Sequence, residues 1–504
     1  MATETSAARL VRARVACRWP DTPVRVLVLS VLFTAAAACE VYQLKALLDR
    51  DIWWHLRTGL WILQNHTVPR HRLFSQHADL PWVNSNWAFD LLAGAAYKLL
   101  GVRVIPGLLM GLRVALAGVT FLLARSRGNF WSAVLLSAIA QYAIADLPPS
   151  AGAVSVLFFG MELMLLIRSR STGKVRPLLW LPLLFLLWAN LHTQFMNGLV
   201  LLALFLLDEA VRAIRARYRF ELQQRPALPL SKIAAVASLS LLATLATPYS
   251  FRILLNAFDA NYGKVLFDYL PSMRPMAFRR PQDFVALLLA LLAVFALGRQ
   301  HSRDISKLGM MALSLVLSIR VQRDSWYVVL IAVAVLAEVL SAHEGNADEH
   351  SSCRTRVWER AAVAVAVAGI FVTSATRLPD PKVIMAKAGG VFPVKACDFI
   401  QSNQLPGPVF NNYDWGNFLI WYLPDHPVAI SGRSDLYGDE IVEQYFKTVT
   451  GAQDLVSDPT FAAARTILLA RKSDMALALT TVPVLRRKFR VVYQDELAIV
   501  LVPQ

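Results

Sequence analysis

The residue types that could do chemistry concentrate in one stretch, Asp49-Arg50-Asp51-Ile52-Trp53-Trp54-His55-Leu56-Arg57-Thr58-Gly59, just past an apolar run at about 24–46. Carboxylates at a membrane edge are costly to keep, while Trp favours the headgroup level, so this pattern reads as a polar site built on such an edge. His55 follows Asp51 by four residues. On a helix an i,i+4 pair shares a face, so Asp51 could orient His55 or share a ligand with it. One carboxylate could take a proton from an acceptor hydroxyl; Asp49 and Asp51 together could hold a divalent cation that bridges a phosphate leaving group. The competing structural role is that Asp51 caps a helix and the tryptophans anchor it.

Other candidates are scattered. The first loop, 48–103, carries His66, His71, His77, Trp82, Trp87 and Asp90, an unusual length for a loop without a function. Trp82 and Trp87 could stack on a substrate ring or sit as interface anchors. His192 ends one apolar run. Arg320 and Arg323 form a turn with Asp324, where paired guanidinium donors suit a phosphate, or else a salt bridge to Asp324 or to the first-loop aspartates. Arg433 and Asp435 follow a strand-like segment and suit either a ligand or a mutual ion pair. Glu40, Arg113 and Glu162 are charges inside apolar runs; Arg113 and Glu162 are expected to neutralise each other between packed helices.

These residues need a scaffold, and composition defines it. The 504 residues are 56% hydrophobic and 17% charged, which fits a multi-pass membrane protein rather than a soluble one. Apolar runs recur at about 24–46, 104–124, 130–146, 151–168, 177–193, 197–213, 232–247, 283–298, 307–319, 325–341 and 360–375. The net charge of +16 lies in short clusters between these runs, the positive-inside pattern, which argues against nucleic-acid binding. Four dispersed cysteines indicate neither a zinc site nor a disulfide framework.

If 86–101 is re-entrant or interfacial, the basic clusters share a side with the N-terminus, giving about eleven crossings; a full crossing makes twelve. The expected organisation is a cytoplasmic basic N-terminus (1–23), a membrane domain (24–375) and an extracytoplasmic α/β domain (376–504), in the inner membrane. The inside loops read as basic and plain. In the C-terminal part, strand-like segments 408–410, 428–431, 466–469, 491–493 and 498–502 alternate with helix-like 394–401 and 441–449, the last two strands forming a hairpin around Asp495-Glu496.

Asp49-x-Asp51-x-Trp53-Trp54-His55-Leu56-x-x-Gly59 resembles the opening of a broad group of mostly uncharacterised bacterial multi-pass proteins. So do Phe74-Ser75 to Trp87, Asn190-x-His192, Pro248-Tyr249, Asn412-Tyr413-x-Trp415-Gly416 and Gly432-Arg433-x-Asp435-Leu436-Tyr437. That group is similar to the GT-C glycosyltransferases, among them the protein O-mannosyltransferases. Arg50 inside the acidic pair and Ser85-Asn86 before Trp87 depart from the pattern. The resemblance implies a GT-C-like fold and transfer of a sugar from a polyprenyl-phosphate-linked donor to an extracytoplasmic acceptor. It implies Asp51 as base, Asp49 as its partner or a metal ligand, and a donor phosphate for Arg320 and Arg323 to hold. His55 and His192 are read as orienting groups. A non-enzymatic transporter, lipid-handling or envelope-assembly protein is the alternative. The enzyme reading requires Asp51, His192 and Arg320 around one cavity.

Overall fold

The computed structural model describes residues 21–43, 49–126, 129–145, 150–217, 228–259, 275–300, 304–343 and 376–504, with a few isolated positions between 365 and 372. The side chains of Glu40 and Asp435, residues 1–20 and most of the apolar run 360–375 lie outside the described residues. The other ten apolar runs are helical. In chain order the helices of the first part are α1 (Asp21–Gln43), α2 (Ile52–Asn65), α3 (Trp87–Leu100), α4 (Val104–Arg125), α5 (Phe130–Ala143), α6 (Ala151–Thr172) and α7 (Leu181–Leu191). There follow α8 (Phe195–Arg217), α9 (Leu230–Ala243), α10 (Arg252–Asp259), α11 (Pro281–Arg299), α12 (Ile305–Arg320) and α13 (Trp326–His343).

Helix boundaries follow local chemistry. The Asn129 side chain accepts from the Ser132 N–H at 2.7 Å to start α5, and Asp304 accepts from the Lys307 N–H at 3.2 Å to start α12. Gly173, at φ 65°, closes α6 in the left-handed region. Among the described residues, three stretches are long and apolar enough to cross a membrane: Trp87–Arg125, Ala151–Thr172 and Pro281–Arg299. The first joins α3 to α4 through a single 3-10 turn, Gly101–Arg103.

Two sequence readings of buried charge are corrected. Arg113 does not meet Glu162: its guanidinium donates to the carbonyls of Ile144, at 2.8 Å, and Ala145, closing the open end of α5. Among the described residues, both carboxyl oxygens of the buried Glu162 lack a hydrogen-bond partner. Nor are the basic connections plain. Arg170 donates to Glu209 at 2.8 Å and Asp304 at 3.1 Å and pairs with Asp208, so its charge ties α6, α8 and α12 together. Arg212, one turn after Asp208, joins the same network at 3.1 Å. Charge counting alone treats these arginines as solvated, whereas they pair with the buried Asp208 and Glu209, and the pairing offsets the cost of burying those carboxylates.

The C-terminal part is a four-stranded sheet in the order β1-β2-β4-β3, with β1 (Val409–Asn411), β2 (Thr466–Ala470), β3 (Phe489–Gln494) and β4 (Ala498–Pro503). β1 and β2 are parallel, and the other neighbours antiparallel. The closing hairpin forms where the sequence places it, with a bulge near Val491. Helices α14 (Pro381–Ala388), α15 (Val394–Ser402), α16 (Gly416–Tyr422), α17 (Ser434–Thr450, kinked at Gly438) and α18 (Asp474–Thr481) surround it. The segment 428–431, expected as a strand, makes only isolated bridges at Val428, to Val409 and to Ser75.

That second bridge joins the first loop to the sheet. Val428 N–H donates to the Phe74 carbonyl and Gln76 N–H to the Val428 carbonyl, each at 3.0 Å. The apolar packing agrees: Ile52, Trp53, Trp54, Trp82 and Phe89 share one buried cluster with Phe392, Phe418, Ile430 and Leu501. Trp53 meets Phe418 edge-on at 5.1 Å and Phe392 at 5.7 Å. Helix α2 is therefore held between α3 and the C-terminal sheet domain.

Candidate active site

The site is built where α2 begins. Asp51 occupies the N-cap position, yet its side chain makes no capping hydrogen bond to α2. Its Oδ1 instead accepts from Asn417 Nδ2 at 2.9 Å, and Asn417 Oδ1 accepts from the Gly432 N–H at 3.0 Å. The approach is close: a Cβ at 432 would lie 2.6 Å from Asn417 Nδ2 and 3.3 Å from Asp51 Oδ1, so the Asn417 amide would have to shift. Asp49 Oδ1 accepts from the Asp51 N–H at 3.1 Å, while its buried Oδ2 has no hydrogen-bond partner among the described residues. Arg50 pairs with the half-exposed Asp414, and its charge also acts on Asp51.

His55 is oriented by Asp90 on α3 and not by Asp51. Its Nδ1 lies 2.5 Å from Asp90 Oδ1, and Asn84 Nδ2 donates to the other oxygen, Oδ2, at 2.6 Å. The i,i+4 relation survives only in the backbone, where His55 N–H donates to the Asp51 carbonyl at 3.4 Å. Asp90 reaches His55 because two glycines let the helices touch: Gly59 of α2 and Gly94 of α3 pack backbone against backbone.

His192 lies just past the last turn of α7. Its Nδ1 is 2.8 Å from Ser155 Oγ, which also accepts from Trp188 Nε1 at 2.7 Å. Burial, then the charges of Arg323 and His55, push the imidazole down to about 3, so it is neutral. Arg323 is exposed, beside a buried network in which Gln194 Nε2 donates to Asp324 Oδ1 at 2.9 Å. Its charge acts on Asp49, Asp51, His192 and Asp324.

Of the expected site residues, Asp49, Asp51, His55, His192 and Arg323 thus share one electrostatic neighbourhood. Arg320 lies exposed at the end of α12. Arg433 is buried. It donates from Nη2 to the Leu73 carbonyl at 3.0 Å and lies 5.5 Å from the Trp82 ring and 5.9 Å from Trp54, with no hydrogen-bond partner for Nη1 among the described residues. Trp82 is only 4% exposed and packs there, with no face open to stack on a sugar. Trp87 donates its indole N–H to Asn190 Oδ1 at 2.9 Å. Asp90 stands among the first-loop candidates of the sequence without a role, while Asn417 and Asn84 are not singled out there. Asp90 carried a signal, an acid inside a short apolar helix; Asn417 carried none.

The two aspartates compete for ionisation. Burial, and then Asp51, raise Asp49 from 3.8 to about 7, against the Asp51 N–H, His55 and Arg323. Burial also raises Asp51, opposed by His55, Arg323, Arg50 and the Asn417 hydrogen bond. Because the folded Asp49 holds its proton more tightly than the unfolded chain, its contribution to stability is complete below about 4 and is lost as pH rises toward about 7. Melting of purified protein between those pH values should show a smaller loss for Asp49→Asn than for the parent; equal slopes would refute it.

A divalent cation fits this chemistry. Among the described residues no group of three or more His, Cys, Asp or Glu could hold a metal. Small hard cations, however, use one or two carboxylates with water and substrate phosphates. The unpartnered Asp49 Oδ2 beside Asp51 supplies such a pair.

No protein-family model and no curated protein matches the chain. Among solved structures, the oligosaccharyltransferase of Archaeoglobus fulgidus, crystallised tethered to an acceptor peptide containing an NVT sequon, matches with TM-score 0.54 at 11% identity, over 94% of this chain and 73% of that one. ArnT from Cupriavidus metallidurans in the apo state matches with TM-score 0.43 at 13% identity, over 94% and 97%. The likeness shows that this chain shares the fold of the Archaeoglobus fulgidus oligosaccharyltransferase, in keeping with the GT-C-like fold its sequence resemblance implies.

Proposed function

We propose that the protein transfers a sugar from a polyprenyl-phosphate-linked donor to an acceptor hydroxyl on the extracytoplasmic side of the inner membrane. The observation that carries the reading is the meeting of Asp51, Asp49, His55, His192 and Arg323, drawn from separate parts of the chain, beside a domain that fixes one oxygen of Asp51. Asn417 holds Oδ1 and leaves Oδ2 for the reaction. In the transfer, Oδ2 takes the proton of the acceptor hydroxyl as that oxygen bonds to the anomeric carbon. The bond from the anomeric carbon to the phosphate oxygen breaks, and the phosphate leaves with the electron pair. Arg323 meets the charge that develops on it. A divalent cation held by Asp49 and Asp51 would supply further neutralisation of the leaving phosphate.

Binding of polyprenyl-phosphate hexoses to the purified protein tests this. A charge-assisted contact contributes about 1.5–3 kcal/mol, so Arg323→Gln should weaken binding roughly tenfold to a hundredfold. Arg320→Gln should change it by less than about threefold, within the range of a surface charge. Equal losses in the two variants, or no binding of any such donor by the parent, would remove the assignment.

A further inference from the structure

A groove at the far end of the helix bundle takes no part in the site. Helix α6 supplies Leu163, Leu166, Ile167 and Arg170 to it, spaced i, i+3, i+4 and i+7, and α13 repeats that spacing from Ile331 to Glu338. Helices α8 and α12 close it with Phe205, Met310 and Lys307. Both stripes run from apolar to charged, so the groove has an apolar depth and a polar mouth, roughly 10 Å apart along the helices. It encloses about 490 Å³, its open mouth included. Trp326–Ala337 of α13 is buried throughout, so the depth lies inside the bundle and the opening lies at its end. Protein interiors pack to crystal-like density, and an apolar space inside one calls for an apolar filler.

At the mouth, Arg170 is taken up by Asp208, Glu209 and Asp304. Contacts to a headgroup therefore fall to Lys307 and Glu338, whose Nζ and Oε2 meet at 2.8 Å. An ammonium donor beside a carboxylate acceptor matches a zwitterion: a phosphate accepts from Lys307, and a primary ammonium on the same headgroup donates to Glu338. That end also carries the basic connection 168–176, expected on the cytoplasmic side. A tail entering there runs parallel to the helices, the direction lipid tails take in a bilayer. We infer that the groove holds one acyl chain of a phosphatidylethanolamine-type phospholipid of the cytoplasmic leaflet, with Lys307 and Glu338 as its headgroup contacts. A phosphocholine headgroup has no N–H for Glu338, and a phosphoglycerol headgroup sets a net negative charge beside it. The lipid site is separate from the sugar-transfer site: Ser155, which bonds His192, lies roughly 20 Å away along α6.

The experiment is native mass spectrometry of the full chain, purified in detergent and titrated with phosphatidylethanolamine, phosphatidylcholine or phosphatidylglycerol of identical acyl chains. The parent should retain one phosphatidylethanolamine, and should hold phosphatidylcholine about tenfold to a hundredfold more weakly, the worth of a charge-assisted hydrogen bond. Glu338→Met should remove that margin, so that the two lipids bind alike. Lys307→Met should weaken both, since both keep the phosphate. Ala334→Phe places a ring in the apolar depth and should abolish retention of either lipid. If Ala334→Phe does not fold, the two mouth variants decide, because both alter partly exposed residues. Equal binding of ethanolamine and choline lipids by the parent, tighter binding of phosphatidylglycerol, no retained lipid, or a folded Ala334→Phe that binds like the parent would each overturn the inference. None of these outcomes depends on whether sugar transfer is observed.

Discussion

Asp51→Asn should lower sugar transfer by about 10²–10⁴-fold, the range a positioned general base contributes, while the protein keeps its fold. The substitution is nearly isosteric, and an amide oxygen at 51 still accepts from Asn417 Nδ2, so the contact between α2 and the C-terminal domain survives. What is lost is the lone pair that takes the acceptor's proton. Stability should not fall, because the variant removes a buried carboxylate whose ionisation is opposed by its surroundings. That combination separates a catalytic from a structural aspartate: melting unchanged or higher, turnover collapsed. Asn417→Ala should sit between parent and Asp51→Asn, since it frees Oδ1 without touching the base. If Asp51→Asn retained more than about a tenth of the parent turnover, the base would have to be sought elsewhere, with Asp49 the next candidate.

Much of this arrangement was legible in the chain, and the part that was not has a physical reason. Periodic apolar runs and strand-like segments depend on near neighbours, so α4 to α9 and the β3–β4 hairpin fall where the pattern puts them. The Asp49–Gly59 cluster was visible because its residue types are wrong for a plain helix start. Partners distant in sequence were not visible. Asp51 and Asn417 are separated by 366 residues, and His55 and Asp90 by 35. Local reasoning therefore paired Asp51 with His55 and Arg113 with Glu162, both plausible by spacing or charge and both displaced by tertiary contacts. The bridge of the first loop to Val428 explains why that loop is long: it extends to the C-terminal sheet and carries the site between them.

Gly59→Ala should cost about 3 kcal/mol or more, whereas Gly118→Ala, the same change in another helix, should stabilise by about 0.5–1 kcal/mol. A Cβ on Gly59 would lie 1.8 Å from the Asp90 carbonyl oxygen and 2.9 Å from the Gly94 nitrogen, all backbone atoms that cannot rotate away. Only separation of α2 from α3 relieves the clash. A Cβ on Gly118 meets nothing within 4 Å, so there the change acts through helix propensity alone. The two variants should therefore shift melting in opposite directions in the same detergent. Separation of the helices also draws Asp90 away from His55, so surviving Gly59→Ala protein should lose activity at temperatures well below its melting point. Gly118→Ala should not. If Gly59→Ala melted like the parent, the backbone contact between α2 and α3 would not exist, and with it would go the means by which a residue of α3 orients a side chain of α2.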